Sequence, residues 1–123
     1  MNKQLLLVVE DNHPLANVLH DHLTNEGFSL LEARNGRDGL ALALKKHPDL
    51  IMLDILMPVM DGISMLKQLR EDEWGRSAKV LVLTNLTGPI DMTEAAKLGV
   101  SEYYTKSNIK LSELTNRIKK MVK

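Results

Sequence analysis

Five short apolar runs, separated by segments with helical spacing, constrain the fold of this chain more than any other feature. The runs at 50–53 and 80–83 are apolar at every position, which is typical of strands that are buried on both faces. Between the first two runs, Leu15, Val18, Leu19 and Leu23 recur every three or four residues, as on one side of a helix. This alternation of strand and helix predicts a parallel sheet that is covered by helices.

The predicted elements follow one another with short connections. Strands are expected at 5–9, 28–31, 50–53, 80–83 and 103–104, with helices at 14–26, 36–46, 62–69, 89–98 and 111–122. Pro14 suits the first turn of its helix, and Gly27 suits the position just after the helix ends. Right-handed crossovers leave few topologies. We therefore predict one domain over residues 1–123, an α/β flavodoxin-like (βα)5 three-layer sandwich with strand order 2-1-3-4-5 and helices on both faces.

Composition excludes several kinds of protein. Basic and acidic residues number 16 each, so no overall positive charge favours binding to nucleic acid. Cysteine is absent, which excludes disulfides, thiolate metal sites and cysteine nucleophiles. The sequence shows no signal-peptide pattern and no apolar run long enough to cross a bilayer. These features predict a cytoplasmic location with no membrane contact.

Polar side chains follow the predicted strands where each strand ends. Glu10 and Asp11 follow the first strand, Asp54 the third, Thr84 the fourth and Lys106 the fifth. Taken singly, the three acidic residues have ordinary explanations as helix caps or turn residues, and the other two as a strand-end hydroxyl and a solvated lysine. Ligands of open parallel sheets bind at the carboxyl ends of the strands, however, so we expect all five side chains to meet there.

This set of side chains predicts phosphoryl chemistry. Three neighbouring carboxylates raise one another's pKa unless a cation relieves them, and Mg²⁺ prefers such oxygen ligands. Asp54 is then placed to attack phosphorus and to form an aspartyl phosphate. Lys106 and Thr84 would stabilise the charge on the phosphoryl oxygens.

Several motifs resemble those of response-regulator receiver domains, the phosphoacceptor modules of two-component signalling. The segment LDILMPVMDG at 53–62 is similar to the family's stretch around the phosphoacceptor. Four further segments match the family. VVEDN matches the acidic pair, and ARNGRDGL the entry to the second helix. VLVLT matches the strand that ends in the switch hydroxyl, and YYTK the switch aromatic before the lysine. The resemblance covers essentially the whole chain.

The resemblance implies a role for each matching residue. Asp54 would be phosphorylated, and Mg²⁺ would be held by Asp11, Asp54 and the backbone carbonyl of Leu56, with Glu10 acting directly or through water. Thr84 and Lys106 would contact the phosphoryl group, and Thr84 and the aromatic Tyr103 would change position on phosphorylation. The site residues that the resemblance implies are Glu10, Asp11, Asp54, Leu56, Thr84, Tyr103 and Lys106.

The resemblance also implies a function. The phosphoryl donor would be a phosphohistidine on a sensor histidine kinase or a histidine phosphotransfer protein. Phosphorylation would then reshape the surface formed by the fourth helix, fifth strand and fifth helix, which a downstream effector or a fused output domain would read. The chain would assist its own phosphotransfer and dephosphorylation without being an enzyme in the usual sense. Pairing of two copies through the last helix stays open.

Three departures from the family pattern carry predictions. Ser107 replaces the usual proline after Lys106, so we expect a trans peptide bond there, because a non-proline cis bond costs about 3–4 kcal/mol. Asn85 is bulkier than the small residue usual after Thr84. The apolar Leu56 and Leu86 flank the site, which predicts slow attack by water and a long-lived acyl phosphate.

Two other functions are alternatives. One is an aspartate-nucleophile phosphohydrolase of the haloacid dehalogenase type, but Leu56 occupies the position where such enzymes carry a second aspartate. The other is a receiver-like interaction module that no longer uses phosphate.

Overall fold

The computed structural model describes residues 3–84, 89–100, 102–108 and 110–123, with the backbone alone at 89–92 and 108. Five strands alternate with five helices along the chain. The strands are β1 (Leu5–Val9), β2 (Ser29–Ala33), β3 (Leu50–Asp54), β4 (Val80–Thr84) and β5 (Glu102–Thr105). The helices are α1 (His13–Asn25), α2 (Gly36–Lys46), α3 (Gly62–Glu71), α4 (Pro89–Lys97) and α5 (Leu111–Met121).

The strands form one parallel sheet in the order β2-β1-β3-β4-β5, which confirms the predicted topology. Leu7 in β1 pairs with Leu31 on one side and with Ile51 on the other. In the same register, Asp54 at the end of β3 lies opposite Leu83 in β4. The strand order therefore places β1, β3 and β4 side by side in the middle of the sheet.

Alternate residues of the strands fill two separate cores, one on each face of the sheet. Leu7 and Leu53 point into the core formed with α2, α3 and α4, whereas Leu6 and Met52 point into the core formed with α1 and α5. Because a strand presents successive side chains to opposite faces, an uninterrupted apolar run is needed to serve both cores. This arrangement is the predicted three-layer sandwich.

Some boundaries differ from those predicted. β2 starts one residue later than predicted and continues to Ala33, whose carbonyl accepts a hydrogen bond from Glu10 N at 3.0 Å. Because β2 is an edge strand with mostly half-buried positions, its apolar run can be interrupted by the polar Glu32. The sequence patterns also missed two short 3-10 helices, Gly75–Ser77 and Lys106–Asn108. In the described part of the chain, no helix is both long and apolar enough to cross a membrane.

Candidate functional site

Three carboxylates converge at the carboxyl end of the central strands. Glu10 directly follows β1, Asp11 is next to it, and Asp54 is the last residue of β3. One carboxylate oxygen from each residue lies within 4.8 Å of the others. Glu10 and Asp54 are almost completely buried, at 1% and 3% exposure, while Asp11 is half-buried. The predicted meeting of these three side chains is thus present in the structure.

Lys106 supplies a positive charge between two of these acids. It opens the 3-10 helix that follows β5, and its Nζ lies 2.6 Å from Glu10 Oε1 and 3.0 Å from Asp54 Oδ2. Only 13% of the lysine side chain is exposed, so solvent screens these ion pairs weakly. No peptide bond among the described residues is cis, so the Lys106–Ser107 bond is trans as predicted, and the lysine still reaches the site.

Burial controls the protonation of this cluster. Loss of water around Glu10 raises its pKa to about 7, although hydrogen bonds from Lys106 and from the backbone of Asn12 act in the opposite direction. Burial likewise raises the pKa of Asp54, again opposed by Lys106. Burial disfavours the charged form of Lys106, but its hydrogen bonds to Glu10 and Asp54 outweigh this effect and raise its pKa. Glu10 and Asp54 therefore hold protons more tightly than they would in water.

The donor set suits a hard divalent cation. Carboxylate oxygens are the ligands that Mg²⁺ selects, and a divalent ion would offset the negative charge that one lysine leaves uncompensated. Glu10 Oε2 already accepts a hydrogen bond from Asn12 N at 3.0 Å, which holds its carboxylate in place. Glu10, Asp11 and Asp54 are the described acidic residues that could hold such an ion.

The structure also describes Thr84, Tyr103 and Leu56, the other predicted residues. Thr84 ends β4 and is buried, and Tyr103 in β5 is half-buried, with its hydroxyl donating a hydrogen bond to Val100 O at 3.3 Å. Leu56 follows Asp54 by two residues and exposes 62% of its surface. Asn85 and Leu86, on which two of the predictions depend, lie outside the described residues.

The loop between β3 and α3 is held close to Asp54 by its glycine. Gly62 N donates a hydrogen bond to Ile55 O at 2.8 Å, and a Cβ on Gly62 would collide with the carbonyl oxygen of Asp54. Asp61 caps α3, since its Oδ1 accepts a hydrogen bond from Ser64 N at 2.8 Å. The Asp61-Gly62 pair of the segment at 53–62 thus packs the loop between β3 and α3 against the end of β3.

Arg34 is a neighbour of the site that the sequence patterns did not single out. It follows β2 directly, and its Nη1 lies 3.4 Å from the backbone oxygen of Glu10. Its Nη2 is 3.9 Å from Glu32 Oε1. The position of Arg34 shortly after the predicted strand at 28–31 was the available signal, because neighbouring parallel strands end at the same end of the sheet.

Known proteins are similar to this chain in sequence and in fold. Residues 6–119 match the family described as response regulator receiver domain. The transcriptional regulatory protein PcoR of Escherichia coli is 34% identical over 120 residues, which are 98% of this chain and 52% of PcoR. The chain thus spans about half the length of this relative.

Solved structures agree with the sequence comparison. The receiver domain of a signal transduction histidine kinase from Syntrophus aciditrophicus has a TM-score of 0.87 and 31% identity, covering 97% of this chain and 89% of that one. The receiver domain of the sensor histidine kinase PA1611 from Pseudomonas aeruginosa PAO1 has a TM-score of 0.89 and 26% identity, with 98% of both chains covered. That structure has a magnesium ion coordinated in its active site cleft.

Proposed function

This chain belongs to the response regulator receiver domain family, and from that membership we propose that it is a signalling switch whose Asp54 accepts a phosphoryl group. The donor would be a phosphohistidine of a sensor histidine kinase or of a histidine phosphotransfer protein. The observation that carries the proposal is the buried Asp54 carboxylate, which lies 3.0 Å from Lys106 Nζ and beside two further acids. Receiver domains are signalling switches rather than classical enzymes, and we propose no turnover of a separate substrate.

The transfer would exchange one phosphorus bond for another. A carboxylate oxygen of Asp54 attacks phosphorus, the bond from phosphorus to the histidine nitrogen breaks, and its electron pair stays on the imidazole. Lys106 already contacts Asp54 Oδ2, so its ammonium group is positioned to bind a phosphoryl oxygen once the acyl phosphate has formed. Burial of the site strengthens this attraction, because the effective dielectric constant is lower than in water.

Glu10, Asp11, Asp54 and the backbone carbonyl of Leu56 would hold Mg²⁺. When bound, the ion supplies positive charge for the phosphoryl oxygens and offsets repulsion among the carboxylates. The support for this assignment is the 4.8 Å grouping of the three acids, together with the magnesium ion in the receiver domain of PA1611.

Thr84 and Tyr103 would transmit the change. Thr84 is the last residue of β4, and Tyr103 lies in the neighbouring strand β5, where it pairs with Val82 of β4. We propose that Thr84 moves toward the phosphoryl group and that Tyr103 takes up the space this frees. The surface of α4, β5 and α5 would then change its affinity for an effector or a fused output domain, since a local charge biases two states of that surface.

Leu56 would prolong the phosphorylated state. Its side chain is exposed beside the site, and it offers no group that could orient an attacking water. We expect Leu56→Asn to speed hydrolysis of the acyl phosphate, because an amide can hydrogen-bond such a water. An unchanged rate in this variant would contradict the role of Leu56 while leaving phosphorylation itself untouched.

Intact-mass measurement after treatment with acetyl phosphate and Mg²⁺ tests the proposal. We expect the native chain to gain one phosphoryl group, and Asp54→Ala to gain none. Asp21→Ala is the matched control, since Asp21 is an exposed aspartate on α1. Absence of the added mass in the native chain would instead favour a receiver-like interaction module that does not use phosphate.

A further inference from the structure

A basic cavity lies at the end of the sheet opposite the acidic cluster. It has a volume of about 470 Å³ and is lined by the short helix Gly75–Ser77, the start of β4, and the ends of α4 and α5. Val80, which lines it, is the first residue of β4, and Thr84 at the acidic cluster is the last. At about 3.3 Å per residue, these two residues are about 13 Å apart along the strand. The cavity is therefore separate from the proposed phosphorylation site.

Four cationic side chains line this cavity and no acidic one does: Arg70, Arg76, Lys79 and Lys97. Among the described residues, none of the four pairs with a carboxylate, although seven ion pairs of lysine or arginine form elsewhere. The whole chain has a formal net charge of zero, so this concentration of positive charge is a local feature.

Arg70 gives the cavity a fixed charge. Its guanidinium donates hydrogen bonds of 2.7 Å to three backbone carbonyls, those of Gly75, Ala78 and Leu98. These bonds hold the half-buried side chain rigidly, but carbonyl oxygens carry only partial charges. Burial lowers the pKa of Arg70, because the cation has lost part of its surrounding water. Its charge thus remains available to an anion.

The remaining lining separates into a charged rim and an apolar wall. The side chains of Arg76 and Lys97 are exposed and make no hydrogen bond to any described residue, so both can close over a ligand. Lys79 Nζ donates to Met121 O at 2.6 Å, which places a third charge at the rim. Leu98 and Met121 supply apolar surface. A volume of this size is within the range of small-molecule sites, about 300–1,000 Å³, and exceeds what a single inorganic anion needs.

We propose that this cavity binds a small molecule that carries two or more phosphate groups on an aromatic or apolar body, the chemistry of a nucleoside diphosphate. The diphosphate group carries several negative charges near neutral pH and presents several acceptor oxygens, which matches the density of donors at the rim. The apolar wall would contact the body of the ligand. Binding here would join α4 to the segment that precedes β4.

Titration of the ¹⁵N-labelled chain with ADP in EDTA tests this proposal, because the chelator removes metal ions from the acidic cluster. We expect amide shifts at Leu98, Gly99 and Val80, and none with adenosine. The double variant Arg76→Gln/Lys97→Gln should weaken binding by about tenfold or more, since each charged hydrogen bond contributes substantially. The matched control Lys45→Gln/Lys46→Gln removes two exposed charges from the end of α2, away from the cavity, and should bind as the native chain does.

Four results would overturn the proposal. No shift at millimolar ADP would leave Arg70 and Lys79 as partners of the backbone carbonyls that they already contact, and Arg76 and Lys97 as solvated surface charges. Equal weakening in both double variants would indicate non-specific attraction. Shifts confined to the acidic cluster would place the ligand elsewhere. Citrate binding as tightly as ADP would reject phosphate as the recognised group. Circular dichroism of both variants checks that they are folded.

Discussion

The raised pKa of Glu10 predicts that the metal-free protein loses stability as the pH rises. The folded state holds the Glu10 proton up to a pKa of about 7, whereas the ordinary value is 4.5. Between these values the folded state binds more protons than the unfolded state, so the free energy of unfolding falls with increasing pH. The contribution is fully present below pH 4.5 and is lost once the pH has passed through 7.

The size of this loss follows from the two values. Their difference is about 2.5 in pKa, and each pKa unit corresponds to about 1.4 kcal/mol, so Glu10 contributes at most about 3 kcal/mol. Burial also raises the pKa of Asp54, which adds to the loss in the same direction. For a domain whose total stability is about 5–15 kcal/mol, this is a readily measured fraction.

Urea unfolding in EDTA, followed by circular dichroism from pH 4.5 to pH 8, measures the effect. The comparison is with Glu10→Gln, whose amide does not titrate. We expect the free energy of unfolding of the native chain, minus that of the variant, to fall by up to about 3 kcal/mol over this range. Glu71→Gln, an exposed position on α3, is the matched control for loss of one carboxylate. A difference that stays constant or rises with pH would refute the reasoning.

Three further predictions concern packing and metal binding. Gly62→Ala should lower the free energy of unfolding by about 1–3 kcal/mol, because its methyl group collides with the Asp54 carbonyl; an unchanged urea midpoint would contradict this contact. Leu69→Ala empties a fully buried position of α3 and should cost about 2–5 kcal/mol, while the exposed Leu44→Ala should cost far less in the same assay. Asp11→Asn should weaken Mg²⁺ binding in calorimetry, yet raise the stability of the metal-free chain, because one of three clustered charges is removed; unchanged Mg²⁺ affinity would exclude Asp11 as a ligand.

The chain's local patterns were sufficient to predict the fold and the convergence of the acids. Uninterrupted apolar runs at 50–53 and 80–83 require burial on both sheet faces, and that requirement leads to parallel strands between helices. The carboxyl ends of parallel strands all lie at the same end of the sheet. Glu10, Asp54 and Lys106 could therefore be placed together, although Glu10 and Lys106 are 96 positions apart in the sequence. This inference needs only periodicity and strand direction, which are local properties.

Tertiary structure alone decided which long side chains meet. The sequence brings Lys106 near the acids but does not specify that it contacts Glu10 at 2.6 Å as well as Asp54, nor that Arg70 reaches three carbonyls of other segments. Likewise, His47 stacks on Trp74 with ring centroids 4.3 Å apart, although no spacing rule joins the two residues.

The physical reason is that apolar periodicity is a local property of the chain, whereas contacts of long polar side chains depend on the distances between separate elements. Apolar periodicity reports which face of an element is buried, but a long polar side chain can turn toward several partners within its reach. Its choice depends on distances that exist only after the layers have packed. β2 shows the same limit, since its extension to Ala33 arises from pairing with β1 and not from its own apolar run. The sequence thus determined the scaffold and the edge where the acids gather, whereas packing determined the contacts that control their charge.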